Sequence, residues 1–255
     1  MAVNLAGGCR VSNLREDEPL RKGTLRVWNR IGRATGAQAI SLRVLEFAPG
    51  RSPMIRNGEA DEVLFLLDSG AASNARVKLF INECSFDVGA DSGIYVRPGE
   101  TFGVFNPGPD NVTIISAQCP DPDREPELVE RPASSAAINE GRIVRLADRR
   151  AQPTADRWYR VLVDDEVGSE QVTQFVGSIP PGRAPDHFHE YEEVLVTLRG
   201  EGRMWAGETN TPIATGSCIY LPKGQVHCVE NTGTGELRLL GVFYPAGSPS
   251  VRYDV

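Results

Sequence analysis

Asp186-His187-Phe188-His189-Glu190-Tyr191-Glu192-Glu193 and, further along, Gly224-Gln225-Val226-His227 hold all three histidines of this chain. Successive side chains on a β-strand point to opposite faces, so His187 and His189, two apart, present both imidazoles to one side. Glu193 brings a carboxylate four residues later. His227 reaches the same place from a distant strand once the sheet closes. Three nitrogens and one oxygen then converge, a donor set suited to a divalent transition metal.

Glycine and proline positions extend the pattern. Gly182 and Gly200 bracket His187, His189 and Glu193, while Gly216, Pro222, Gly224, His227 and Asn231 form a second group. In these positions the chain resembles the cupin superfamily, whose motifs read G-x5-H-x-H-x3/4-E-x6-G and G-x5-P-x-G-x2-H-x3-N. The second motif is matched at every named position. The first departs only at Gly182, which lies one residue nearer to His187 than the pattern asks, in the loop before the strand. The resemblance implies an all-β jelly-roll barrel (double-stranded β-helix) and four metal ligands, His187, His189, Glu193 and His227. They would surround one divalent transition metal, with Fe, Mn, Ni, Co, Cu and Zn all compatible.

An echo of the same pattern runs through the first half. Phe47-Ala48-Pro49-Gly50-Arg51 recurs as Ile179-Pro180-Pro181-Gly182-Arg183. Glu62-Val63-Leu64 ending at Gly70 recurs as Glu193-Val194-Leu195 ending at Gly200, and Ile94-Tyr95-Val96-Arg97-Pro98-Gly99 as Ile219-Tyr220-Leu221-Pro222-Lys223-Gly224; Asn106 matches Asn231. Repeats this long indicate two tandem cupin barrels, a bicupin, and not a solenoid. Overlaying them sets Arg56, Gly58 and Phe102 where the second copy has His187, His189 and His227, leaving Glu62 as the one retained ligand type. A guanidinium repels cations and offers no lone pair, so the first barrel is expected to have lost its metal, with Arg56 either building an anion pocket or, the favoured reading, paired to Glu62.

Pro120-Asp121-Pro122-Asp123-Arg124-Glu125-Pro126-Glu127 and Ala133-Ser134-Ser135-Ala136-Ala137 read as a surface linker. The expected organisation is an N-terminal arm over 1–20, a first barrel over 21–119, an acidic Pro-rich linker over 120–142 and a metal-binding barrel over 143–255. The composition of the arm is equally compatible with a strand added to a neighbouring sheet and with a loose tail. In the second barrel, strands are expected near 158–163, 171–178, 187–199, 201–205, 217–221, 227–230 and 237–244. A type I turn at Pro222-Lys223-Gly224, with proline second and glycine fourth, delivers His227.

Composition narrows the function classes. The chain has 255 residues with 40% hydrophobic content, enough for a core, and its 26 glycines and 18 prolines break it into short β segments. A net charge of −7 without a basic block argues against nucleic acid. No apolar run is long enough to span a bilayer, and the first residues lack a signal peptide's basic and apolar regions, so no membrane role is expected. Five cysteines, Cys9, Cys84, Cys119, Cys218 and Cys228, form an odd set without a C-x-x-C pair, which suggests a reducing cytoplasm.

The expected partner is a small-molecule substrate; a homodimer is left open. Beyond the ligands, Tyr191, Gln174, Arg203 and Tyr220 are pocket candidates, each with ordinary strand packing as the competing explanation. The resemblance first suggests a dioxygenase-type oxidoreductase acting on a small oxygenated or carboxylated metabolite at a three-histidine, one-glutamate centre. Two alternatives stand beside it. One is a non-redox decarboxylase, isomerase, lyase or aminohydrolase, and the other a cupin that binds a metabolite or metal without turnover.

Overall fold

Several strands of this chain are buried on both faces, among them Asp61–Leu66, Val112–Cys119 and Glu192–Arg199. Two packed layers explain this: one face lines the strand's own barrel and the other packs against the second barrel. Along Val112–Cys119, Ile114 joins a core confined to the first half, whereas Ile115 and Ala117 join a core shared between the halves. Leu195 likewise points into the second barrel while Val194 and Val196 face the shared core. Strands covered on both sides read as near-continuous apolar runs, as these do.

The computed structural model describes residues 1–67, 76–134, 140–154, 156–251 and 253–254. Gly70 and the linker residues Ser135, Ala136 and Ala137 fall outside them. Each half is a pair of facing antiparallel sheets, so the chain has two jelly-roll barrels in tandem. In the second, the larger sheet runs Val3–Asn4, Arg10–Asn13, Ser217–Leu221, Glu192–Arg199, Leu237–Tyr244, Thr173–Ile179, Arg157–Val163, Gln152–Thr154. The smaller runs Thr209–Ala214, Glu201–Ala206, His227–Asn231, His187–Phe188, Tyr253–Asp254. Among the described residues, no helix is long and apolar enough to cross a membrane. All five cysteines are free.

The halves exchange strands. Arg10–Asn13 of the arm pairs with Ser217–Leu221, its Val11 opposite Ile219, so the arm extends a sheet of the second barrel. In return Ile143–Arg145, counted with the second barrel from sequence, pairs with Ser92–Val96 of the first. Part of the expected linker is ordered too: Glu127–Val129 lies along Met54–Arg56, and Glu127 forms an ion pair with Arg56 at 3.3 Å.

That ion pair corrects the expected Arg56–Glu62 pairing. The single strand expected over 187–199 is also two strands in different sheets, His187–Phe188 and Glu192–Arg199, because the chain crosses from one sheet to the other between His189 and Glu193. Thr209–Ala214, a strand the apolar alternation does not mark, pairs along Glu201–Ala206.

Candidate metal centre

His187 stands directly opposite His227 on neighbouring strands of the smaller sheet, and His189 follows two residues on. The ring centroids lie 4.6 Å apart for His187 and His227, 5.0 Å for His187 and His189, and 5.1 Å for His189 and His227. One nitrogen from each comes within 4.8 Å of the others. Donors sharing one ion at about 2.1 Å stand roughly 3–4 Å apart, so small side-chain rotations suffice to close on it. Glu193 arrives from the facing sheet, its Oε2 3.8 Å from His189 Nε2.

The imidazoles are already oriented. His187 Nδ1 lies 2.9 Å from the Pro185 carbonyl, His227 Nδ1 2.8 Å from that of Gln225, and His189 Nδ1 3.1 Å from that of Val251. A carbonyl oxygen can only accept, so each Nδ1 carries the proton and each Nε2 keeps its lone pair for a cation. The turn delivering His227 also differs from expectation. Gln225 N–H donates to the Pro222 carbonyl at 3.2 Å, which makes Pro222 the first residue and Gly224 the third, at φ +74°. A left-handed third position favours glycine, as in a type II turn. Gly224 N–H then donates to the His189 carbonyl at 2.8 Å, joining the two motifs.

Burial sets the protonation states. Desolvation, reinforced by the neighbouring His187, pulls His227 down to about 3 and His189 down to about 4. Desolvation pushes Glu193 up to about 8. These groups lie nine-tenths or more out of solvent, at 3%, 8% and 5% exposure respectively. Two neutral imidazoles, and a carboxyl group that ionises once a cation offsets its desolvation, fit a divalent ion.

The site opens into a cavity of about 120 Å³, room for a small metabolite. Phe175, Ile179, Leu195, Val229 and Leu239 give it apolar walls, and Arg157 supplies a cation. Of the four further candidates, only Tyr191 lines this cavity; its ring stacks on His189 at 4.6 Å and on Phe243 at 4.2 Å. Arg203 instead donates to Asn210 at the surface, at 2.6 Å. Gln174 and Tyr220 face the other barrel: Gln174 donates to the Leu64 carbonyl at 3.3 Å, and Tyr220 OH donates to Glu192 at 2.7 Å.

Arg157, Trp158 and Phe175 were missed, though the repeat held a usable signal for Phe175. Matching Ile179 to the core residue Phe47 sets the phase of its strand, turning Phe175 inward and Gln174 outward.

The corresponding region of the first barrel is filled. Ile55, not Arg56, lies opposite Phe102, as His187 lies opposite His227, and both Ile55 and Phe102 belong to the apolar core. Two residues on from Ile55, in place of His189, comes the fully buried Asn57. The overlay therefore shifts by one residue here, with the extra residue of the first barrel falling before Glu62. Gln118 Nε2 donates to Glu62 at 3.1 Å and to Asn57 at 3.0 Å, while Ser116 Oγ donates to Glu62 at 2.6 Å. An amide N–H group thus satisfies the carboxylate that a cation would otherwise engage. Among the described residues, the three-histidine group is the one convergent set of metal-ligating side chains found.

Comparison with known proteins agrees with this architecture. Residues 175–243 match the cupin domain family. Auxin-binding protein 1 of Arabidopsis thaliana is 34% identical over 83 residues, covering 29% of this chain and 42% of that protein. The oxalate-binding protein of Thermotoga maritima is 36% identical over 66 residues, covering 25% of this chain and 54% of that protein. The chain thus matches about half the length of these relatives. A formate complex of oxalate decarboxylase from Lactobacillus farciminis superposes with a TM-score of 0.72 at 14% identity, over 93% of this chain and 87% of that one. At such identity the shared property is the fold.

Proposed function

We propose that this bicupin is a metal-dependent enzyme of redox-neutral, decarboxylase type, acting on a small carboxylic acid at an ion held by His187, His189, His227 and Glu193. The observation that carries the reading is the convergence of three pre-oriented imidazoles and a buried carboxyl group at the wall of a cavity that also holds an arginine. The likeness to oxalate decarboxylase structures and the oxalate-binding relative favour this chemistry over the dioxygenase expectation.

When bound, a divalent ion supplies Lewis acidity that polarises a coordinated carboxylate. Arg157, whose Nε is held by Asp156 at 3.0 Å, presents the remainder of its planar fork for a substrate carboxylate. Phe175, Ile179, Leu195, Val229 and Leu239 exclude water from the bond being broken, and accommodate a substrate with an apolar portion beside its carboxylate. In the overall change a carbon–carbon bond breaks, carbon dioxide leaves, and a proton from water takes its place.

The test is carbon dioxide release from a panel of small dicarboxylic, 2-oxo and 2-hydroxy acids, under argon and in air. Release without net oxygen consumption, with KM raised about tenfold or more in Arg157→Ala for loss of a charged hydrogen bond, is expected. Oxygen uptake in step with turnover would restore the dioxygenase reading. Both relatives, each matched over about half its length, are named as binding proteins, which supports a second reading; tight retention of an acid without conversion would favour it.

A further inference from the structure

We infer that the C-terminal tail is part of the metal centre: the Val251 carbonyl positions His189, and the strand that follows straps it in place. This rests on the metal site proposed above and concerns how one of its ligands is held.

The three imidazoles differ in where their orienting carbonyls come from. His187 and His227 each bond the carbonyl two residues earlier in the chain, at Pro185 and Gln225. Those contacts are local in sequence. His189 instead bonds the carbonyl of Val251, 62 residues away. Its orientation therefore depends on a tertiary contact, made by a segment that supplies none of the four ligands.

That segment is anchored on both sides of Val251. Upstream, Gly247 N–H donates to Thr173 Oγ1 and its carbonyl accepts from the same hydroxyl, both at 3.1 Å, and Val251 N–H donates to the Ser248 carbonyl at 3.1 Å. Downstream, Tyr253–Asp254 pairs with His187–Phe188, setting Tyr253 opposite Phe188 with their rings stacked at 5.2 Å. Between the anchors, Pro249 and Ser250 line the cavity. Val251 and Tyr253 are 47% and 46% exposed, so the strap rests on the barrel without being built into its core. Removing it takes away the acceptor that fixes His189 as the Nδ1–H tautomer, and with it the alignment of Nε2 on the ion. Losing such an outer partner typically weakens metal binding about 10–100-fold.

The experiment compares the full chain with one ending at Ser248 and with Tyr253→Ala, which keeps every ligand and the carbonyl but removes the ring stack. Zn²⁺ affinity is read by competition with a chromophoric chelator. The His189 tautomer is read in the metal-free protein from long-range ¹H–¹⁵N correlations of the imidazoles.

The expected result is Zn²⁺ binding weakened about 10–100-fold in the shortened chain and by a smaller factor in Tyr253→Ala. The metal-free shortened chain should also lose the pure Nδ1–H pattern at His189 while His187 and His227 retain theirs. Unchanged affinity and an unchanged His189 tautomer would overturn the inference. If the shortened chain does not fold, Tyr253→Ala decides by the same readouts. Failure of the full chain to bind Zn²⁺ would count against the proposed metal site, whereas the tautomer in metal-free protein tests the tail contact separately.

Discussion

Glu193 and the imidazoles around it make opposite demands on protons. With Glu193 held up to about 8 and His189 and His227 held down to about 4 and 3, the metal-free site at neutral pH is a protonated carboxyl group beside two neutral imidazoles. An arriving cation must displace the Glu193 proton. Zn²⁺ affinity should therefore rise with pH between pH 5 and 7.5, with at least one proton released per ion, measurable by calorimetry in buffers of different ionisation enthalpy. Affinity independent of pH over that window would show that Glu193 does not ligate.

Stability of the metal-free chain carries both signs. His189 and His227, depressed on folding, contribute stability present above their ordinary value near 6.5 and lost as pH falls toward 4 and 3. Glu193, raised on folding, contributes stability present below its ordinary value and lost as pH rises through about 8. Burial, which residue types do not reveal, adds the Glu193 carboxyl group to the pH dependence that imidazole ligands alone would give. The convergence of His187, His189 and His227 was legible because spacing and motif glycines mark them. Gln174 and Tyr220 were misplaced because alternation gives the period of a strand without its phase.

At the scale of elements, the N-terminal arm shows what local pattern cannot supply. Val11 is 5% exposed and packs with Leu195, Ile219 and Leu239 inside the second barrel, although more than half the chain separates it from those strands. Val11→Asp puts an unpaired carboxylate into that core and should cost about 3 kcal/mol or more. Urea unfolding is expected to show a lowered midpoint; a midpoint equal to that of the unaltered chain would mean that the arm is not bound to the barrel. Strands such as Ser217–Leu221 and Leu237–Tyr244 were legible because their residues alternate or run apolar between turns. For the arm an added strand was legible but not the strand it joins, and Ile143–Arg145 and Tyr253–Asp254 were not marked, because each owes its strand conformation to a partner distant in sequence.

Across the whole molecule, the two barrels share a core, and the contact reaches the residue next to a proposed ligand. The Glu192 carboxylate accepts from the backbone N–H of Gln38 at 2.9 Å, from that of Ala39 at 2.7 Å and from Tyr220 OH at 2.7 Å. The first barrel thereby steadies the strand whose next residue, Glu193, faces the metal site. Its own half carries a related pair, Tyr95 OH donating to Asp61 at 2.5 Å. The doubled architecture was legible from the repeat alone. How the first barrel replaced its polar centre was not, since Gln118 lies far from the motif positions and becomes a partner of Glu62 only after folding.

The division of labour between the barrels is tested most directly by metal content per chain, measured by inductively coupled plasma mass spectrometry on protein purified without added chelator. The expected result is a ratio near one ion per chain, falling close to zero in His227→Ala while the protein stays folded. A ratio near two, or one that His227→Ala leaves unchanged, would contradict a single ion in the second barrel.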